Sequence, residues 1–257
     1  MAKNRRRQKK RKSWKNWLLN IAIILLVLVG LGLIFNKEIR NFVMAGTVNK
    51  LQVSNYSADQ LAKNKANSTG DYNFKDVQSV NFNTVMKAMQ NAQQLPTIGG
   101  IAVPEVGINL PIFAGVGNLQ ISAGAGTMKE EQVMGKKNGN YALASHHIIP
   151  GYFANGENML FSPLDRAKTG MKIYLTDKAA VYEYKITSIT YVDPSEVQVI
   201  DDVPGRTMIT LVTCDDTGDK REIVQGDFVK KTTWNETDAS VQKAFDKKYS
   251  QLPGFGN

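Results

Sequence analysis

One cysteine occurs among the 257 residues, Cys214, at the end of Thr210-Leu211-Val212-Thr213-Cys214. A lone thiol makes no intramolecular disulfide, so its chemistry is that of a nucleophile, a ligand or a small buried hydrophobe. Two histidines are present, His146 and His147, closing the short run Tyr141-Ala142-Leu143-Ala144-Ser145. A thiol is mostly protonated at neutral pH and becomes a strong nucleophile beside a basic or cationic group. Cys214, one imidazole and Arg221 are therefore the residue types that acyl transfer needs. The alternative for Arg221 is a surface ion pair with Asp215, Asp216 or Asp219, and one of the two histidines is expected to be structural.

The elements that must carry these groups are short and β-like. Met208, Ile209, Leu211 and Val212 read as a strand that delivers the sulfur to its end, and the turn-rich Asp215-Asp216-Thr217-Gly218-Asp219 leads to a strand opened by Arg221. Similar runs cover Ile98–Val103, Leu110–Ala114, Tyr141–Ser145, Lys172–Thr176, Ala180–Val192, Met208–Thr213 and Glu222–Lys231, with Pro104 and Pro111 expected at strand ends. Seven or more strands within about 135 residues suit a closed barrel or a sandwich. Apolar spacing predicts an amphipathic helix over Val80–Leu95, capped by Asn83, and a shorter one over Ser162–Lys168.

Several of these stretches together resemble the sortases, most closely the class A housekeeping sortases of the streptococcal and lactococcal type. The resemblance runs from Asn73 to about Val229. It is carried by Leu95-Pro96-Thr97-Ile98-Gly99-Gly100-Ile101-Ala102-Val103-Pro104, Leu110-Pro111-Ile112-Phe113, Gly124-Ala125-Gly126-Thr127-Met128, the Ala144-Ser145-His146 block, Met159-Leu160-Phe161-Ser162-Pro163-Leu164 and the TLVTC run with Arg221 seven residues beyond it. It implies an all-β fold, a closed eight-stranded sortase-like barrel with short helices. It also implies a cysteine transpeptidase that cleaves an LPxTG sorting signal between Thr and Gly and passes the acyl group to a peptidoglycan-precursor amine of lipid II type, anchoring surface proteins to the cell wall.

Carried over by position, the resemblance makes Cys214 the nucleophile, His146 the catalytic histidine and Arg221 the catalytic arginine. It places Val197, Val199 and Ile200, in the loop Asp193–Asp202, against the signal's Leu and Pro, and adds Ala144 as a further substrate contact. By pattern alone, an apolar triplet in a polar loop is more often a small core cluster. Thr213 is a candidate to hydrogen-bond either substrate or backbone. One branch of the family holds Ca²⁺; the corresponding positions here are Glu131, Met134, Asn138 and Asp202, a set short of hard anionic ligands, with Lys136 and Lys137 nearby. Activity without a metal or any other cofactor is expected. Pilus-type features, an Asp-Pro-aromatic lid motif and a second C-terminal span, are not found in the sequence.

Nine of the first fifteen residues are Lys or Arg, and without them the chain carries 23 basic against 23 acidic residues. The net charge of +9 thus belongs to the tail, which argues against nucleic acid as a partner. Trp17–Phe35 follows without a charge; its 19 residues span about 28 Å as a helix, enough for the ~30 Å hydrocarbon core. The charge bias, far greater before the span than in Lys37 and Arg40 after it, places the tail in the cytoplasm and the remainder outside. A cleaved signal peptide ending near Val43-Met44-Ala45 is the alternative, against which the apolar run is long.

The expected layout is a tail over 1–16, an anchor over 17–35, an extracellular spacer over 36–73, a catalytic domain over 74–250 and a disordered end over 251–257. Two other functions fit a lone Cys with a His: a hydrolytic cysteine peptidase or L,D-transpeptidase, and an anchored binding module with a structural cysteine.

Overall fold

The computed structural model describes residues 14–73, 91, 95–148, 156–215 and 217–249. The basic tail, nearly all of the helix expected over Val80–Leu95, and the C-terminal residues 251–257 lie outside them. Two helices come first, α1 (Trp14–Ile34) and α2 (Asn36–Leu51), then α3 (Ala58–Asn67). Ser57 caps α3 through its hydroxyl, which accepts from the Gln60 N–H, while the Gln60 side chain accepts from the Ser57 N–H.

Eight strands follow: β1 (Gly99–Val103), β2 (Ile108–Phe113), β3 (Ala125–Thr127), β4 (Asn140–Ala144), β5 (Lys172–Thr176), β6 (Ala180–Val192), β7 (Met208–Cys214) and β8 (Arg221–Thr233). They close into a barrel in the order β1-β2-β3-β4-β7-β8-β6-β5, with β5 returning to β1. The β2/β3 and β4/β7 pairs are parallel and the rest antiparallel. Strand β3 is an addition to the seven runs legible in the sequence: at three residues it is too short to show an alternation.

Closure explains the burial. Along β1, Ile101 and Val103 enter the barrel core, while Ala102 faces outward onto an apolar cluster with Val53, Leu61 and Phe245, the last from α5 (Ala239–Asp246). A strand covered on both faces reads as a continuous apolar run rather than an alternating one. Gly100 belongs to this packing: a Cβ there would come within 2.6 Å of the Val53 side chain.

Three expectations are corrected. Pro111 lies within β2, not at its end; parallel pairing to β3 begins only at Ile112, so the missing N–H at 111 costs no bond on that edge. The segment over Ser162–Lys168 is a 3₁₀ turn, Ser162–Arg166. Finally, residues 36–73, expected as a spacer too polar to build a core alone, contribute side chains to the core. Met44, Ala45 and Val48 of α2 join the main barrel core, and Leu51 packs with Leu95, Phe113 and Ala123. Apolar residues too sparse to form a core alone still complete one supplied by the barrel.

Candidate active site

Parallel pairing brings the histidine to the cysteine. In the β4/β7 ladder Ala144 is the register partner of Val212, so His146 and Cys214, each two residues further on, emerge at the same end of the barrel. The antiparallel β7/β8 ladder then sets Cys214 opposite Arg221, a relation that puts Cα atoms about 4.5–5.5 Å apart. Between them the chain reverses through Gly218, whose φ of +80° is left-handed and suits a residue without a Cβ. Asp215 is spent on that turn: its carboxylate accepts from the Thr217 hydroxyl (3.0 Å) and the Lys220 N–H (3.2 Å). Arg221 donates to the Gly218 and Lys220 carbonyls instead (3.2 and 3.1 Å), so among the described residues no carboxylate pairs with it.

The three groups line one cleft of about 250 Å³ together with Ala144, Thr213, Val197, Val199 and Ile200. None of the last three is buried, and Val197 is 68% exposed, so this apolar triplet forms a cleft wall and not a core cluster. The wall is a 3₁₀ turn, Val197–Ile200, held from beneath. Asn140 donates to the Val199 carbonyl (3.3 Å) and the Asp201 carbonyl (3.1 Å), and Gln225 also donates to the Val199 carbonyl (3.3 Å). Asn140 is oriented by the buried Thr210 hydroxyl, which donates to its Oδ1 (2.9 Å). Asp202 anchors the end of the wall by accepting from Lys129 Nζ (2.6 Å) and the Asn140 N–H (2.8 Å).

Burial sets the protonation states. His146 is buried, its Nε2 has no hydrogen-bond partner among the described residues, and desolvation lowers its pKa to about 4. Burial likewise pushes the Cys214 thiol up; the Arg221 guanidinium opposes that shift and Asp215 adds to it. Both shifts favour the neutral form. The imidazole is fixed through its backbone: the His146 N–H donates to the Ile121 carbonyl (3.4 Å), and its carbonyl accepts from Phe161 (3.1 Å). The Thr213 hydroxyl donates to the Ser145 carbonyl (2.9 Å), tying the cysteine strand to the histidine segment. His147 does not line the cleft; its Nδ1 lies 3.8 Å from Asp165.

Residues 101–229 match the Sortase domain family. Over 248 residues the chain is 48% identical to sortase A of Streptococcus agalactiae, covering 96% of this chain and 99% of that one. The chain belongs to the sortase family. It is accordingly a cysteine transpeptidase of the cell-wall-anchoring kind. It is also similar to sortase A of Listeria monocytogenes, at 39% identity over 82% of this chain and 90% of that one. The crystal structure of a Listeria monocytogenes sortase A superposes with a TM-score of 0.52 at 42% identity, covering 59% of this chain and 99% of that chain.

In this sortase the positions that hold calcium in one branch do not fit the ion. Met134 is a buried thioether, and the Asp202 carboxylate is engaged by the Lys129 ammonium, which supplies the positive charge itself. Ile121, from α4 (Asn118–Ala123), and Val192 with Pro194, at the end of β6, also line the cleft and were not singled out from sequence. The alternation along β6 contains a signal for Val192. A six-residue helix between two glycines shows no periodicity from which Ile121 could have been read.

Proposed function

We propose that Cys214, His146 and Arg221 are the catalytic groups of this transpeptidase, acting on an LPxTG-type sorting signal. The reading is carried by the convergence of the thiol, the imidazole and the guanidinium at one end of the barrel, beside an apolar wall. Attack on the Thr carbonyl forms the Cys214 Sγ–C bond as the thiol proton passes to His146. The tetrahedral oxyanion is stabilised by the Arg221 guanidinium. Collapse breaks the Thr–Gly bond, and the imidazolium returns its proton to the departing Gly amine. In the second half the incoming amine of a peptidoglycan precursor forms its bond to the acyl carbon as the neutral imidazole takes its proton; the Sγ–C bond then breaks and the imidazolium returns the proton to the sulfur. Val197, Val199, Ile200 and Ala144 contact the signal's apolar residues.

Helix α1 is exposed almost throughout and long and apolar enough to cross a membrane. The charge asymmetry around it supports a cytoplasmic N-terminus and an external barrel, where cell-wall precursors and surface proteins meet. The test is incubation with an LPxTG peptide, with and without an amine acceptor. Cleavage at Thr–Gly with acceptor-dependent ligation, lost in Cys214→Ala, is expected. Intact peptide in both incubations excludes the substrate, and hydrolysis indifferent to the amine marks a peptidase instead.

A further inference from the structure

Helix α2 has two faces of opposite kind. Asn41, Met44, Ala45, Val48 and Leu51 recur at helical spacing and are buried against the barrel. On the other side Phe35, Ile39 and Phe42, at i, i+4 and i+7, are 51%, 47% and 80% exposed. At 100° per residue the two sets lie on opposite sides of the helix. Phe42 is the most exposed large hydrophobic side chain among the described residues.

The stripe is continuous with α1. Phe35 N–H donates to the Leu31 carbonyl (2.9 Å) and Ile39 N–H to the Phe35 carbonyl (3.0 Å), so helical bonding runs through the junction. Ile39 and Phe42 therefore lie about 6 and 10 Å along the axis from Phe35, comparable with the ~5–8 Å headgroup layer beyond the hydrocarbon. Helix tilts of about 20–40° bring the stripe into that layer.

We propose that the outer face of α2 is a lipid-contact surface, which seats the barrel on the same membrane that α1 crosses. The proposal rests on reading α1 as a span. Aromatic and aliphatic side chains on a helix emerging from a bilayer are solvated by the interface at no packing cost. The three side chains expose roughly 350 Å², under half of the ~800 Å² per partner that a stable dimer buries, which favours lipid over a second copy of the chain. The seating also locates the catalytic cleft. α2 packs on α4, whose Ile121 lines the cleft and accepts the His146 N–H. One short helix thus separates the lipid-facing helix from the catalytic imidazole, which keeps the cleft within reach of an acceptor carried on a lipid.

The experiment uses the full chain with Cys214→Ala in liposomes of mixed neutral and anionic phospholipid. A single nitroxide is placed by Phe42→Cys, with Val27→Cys and Lys63→Cys as references in the span and on exposed α3, and depth is read from relaxation by oxygen and by an aqueous nickel chelate. The Phe42 label is expected to be about tenfold less accessible to nickel than the Lys63 label, at the headgroup–acyl boundary. Nickel accessibility equal to that at Lys63, with Val27 protected, overturns the seating alone. An accessible Val27 label overturns the span and the seating together. Dipolar broadening between Phe42 labels means that a second copy covers the stripe, and likewise overturns the proposal.

Discussion

A buried imidazole and a partly buried thiol each disfavour their own charge. Iodoacetamide alkylation of Cys214 is expected to be slow at neutral pH and to accelerate toward alkaline pH, because burial raises the thiol. Arg221→Ala should move that midpoint further up, since the guanidinium pulls it down; an unchanged midpoint would show that the charge is not felt at the sulfur. The same substitution removes the proposed oxyanion donor and should lower kcat by about 10²–10³-fold, with Arg221→Lys recovering only part. His146 links the site to stability. Its ordinary value is 6.5 and its folded value about 4, so between these the unfolded chain binds more protons. Its contribution is complete above pH 6.5 and is lost as pH falls toward 4, on the order of 3 kcal/mol. The loss should appear in urea titrations across that window and shrink in His146→Gln. The residue types of this chemistry were legible because cysteine and histidine are so scarce here. That His147 lies beside Asp165 while His146 lines the cleft is decided by tertiary packing.

At the level of elements, the cleft wall proposed to contact substrate is a 3₁₀ turn with no buried residue, so its shape depends on the polar groups beneath it. Asn140→Ala removes two donors to that turn and leaves the Thr210 hydroxyl without its acceptor. We expect KM for an LPxTG peptide to rise about tenfold with kcat within about threefold, since the residue touches the wall and not the reacting groups. An equal loss in kcat would instead place Asn140 in the chemistry. Because Lys129 already neutralises Asp202, addition of Ca²⁺ or of a chelator should leave the rate unchanged. Lys129→Ala should loosen the wall; a calcium-activated wild type would show that the ammonium does not fill that role. The sequence reading placed the triplet in the loop, but a cleft wall and a core cluster share one apolar pattern. Exposure of Val197, a tertiary property, separates them.

For the molecule as a whole, core packing reaches N-terminal of residue 74, into α2. Deletion through Phe35 should leave thermal stability unchanged. Deletion through Leu51 removes Met44, Val48 and Leu51 from their packing and should cost several kcal/mol, seen as a fall in Tm of about 10 °C or more. Equal melting of the two would restore the spacer reading. Alternation, turn residues and charge placement along the chain were enough for seven of the eight strands and the apolar helix, while the candidate Cys, His and Arg set came from the scarcity of those residue types and from the resemblance to the family. Each of those is written in neighbouring residues. What folding alone decided is the company they keep. The parallel β4/β7 register joins residues 68 apart and aligns His146 with Cys214; the barrel supplies the apolar surface that turns a polar-looking segment into a docked helix. Both depend on long-range pairing, whose energy comes from surfaces that do not exist until the chain has closed.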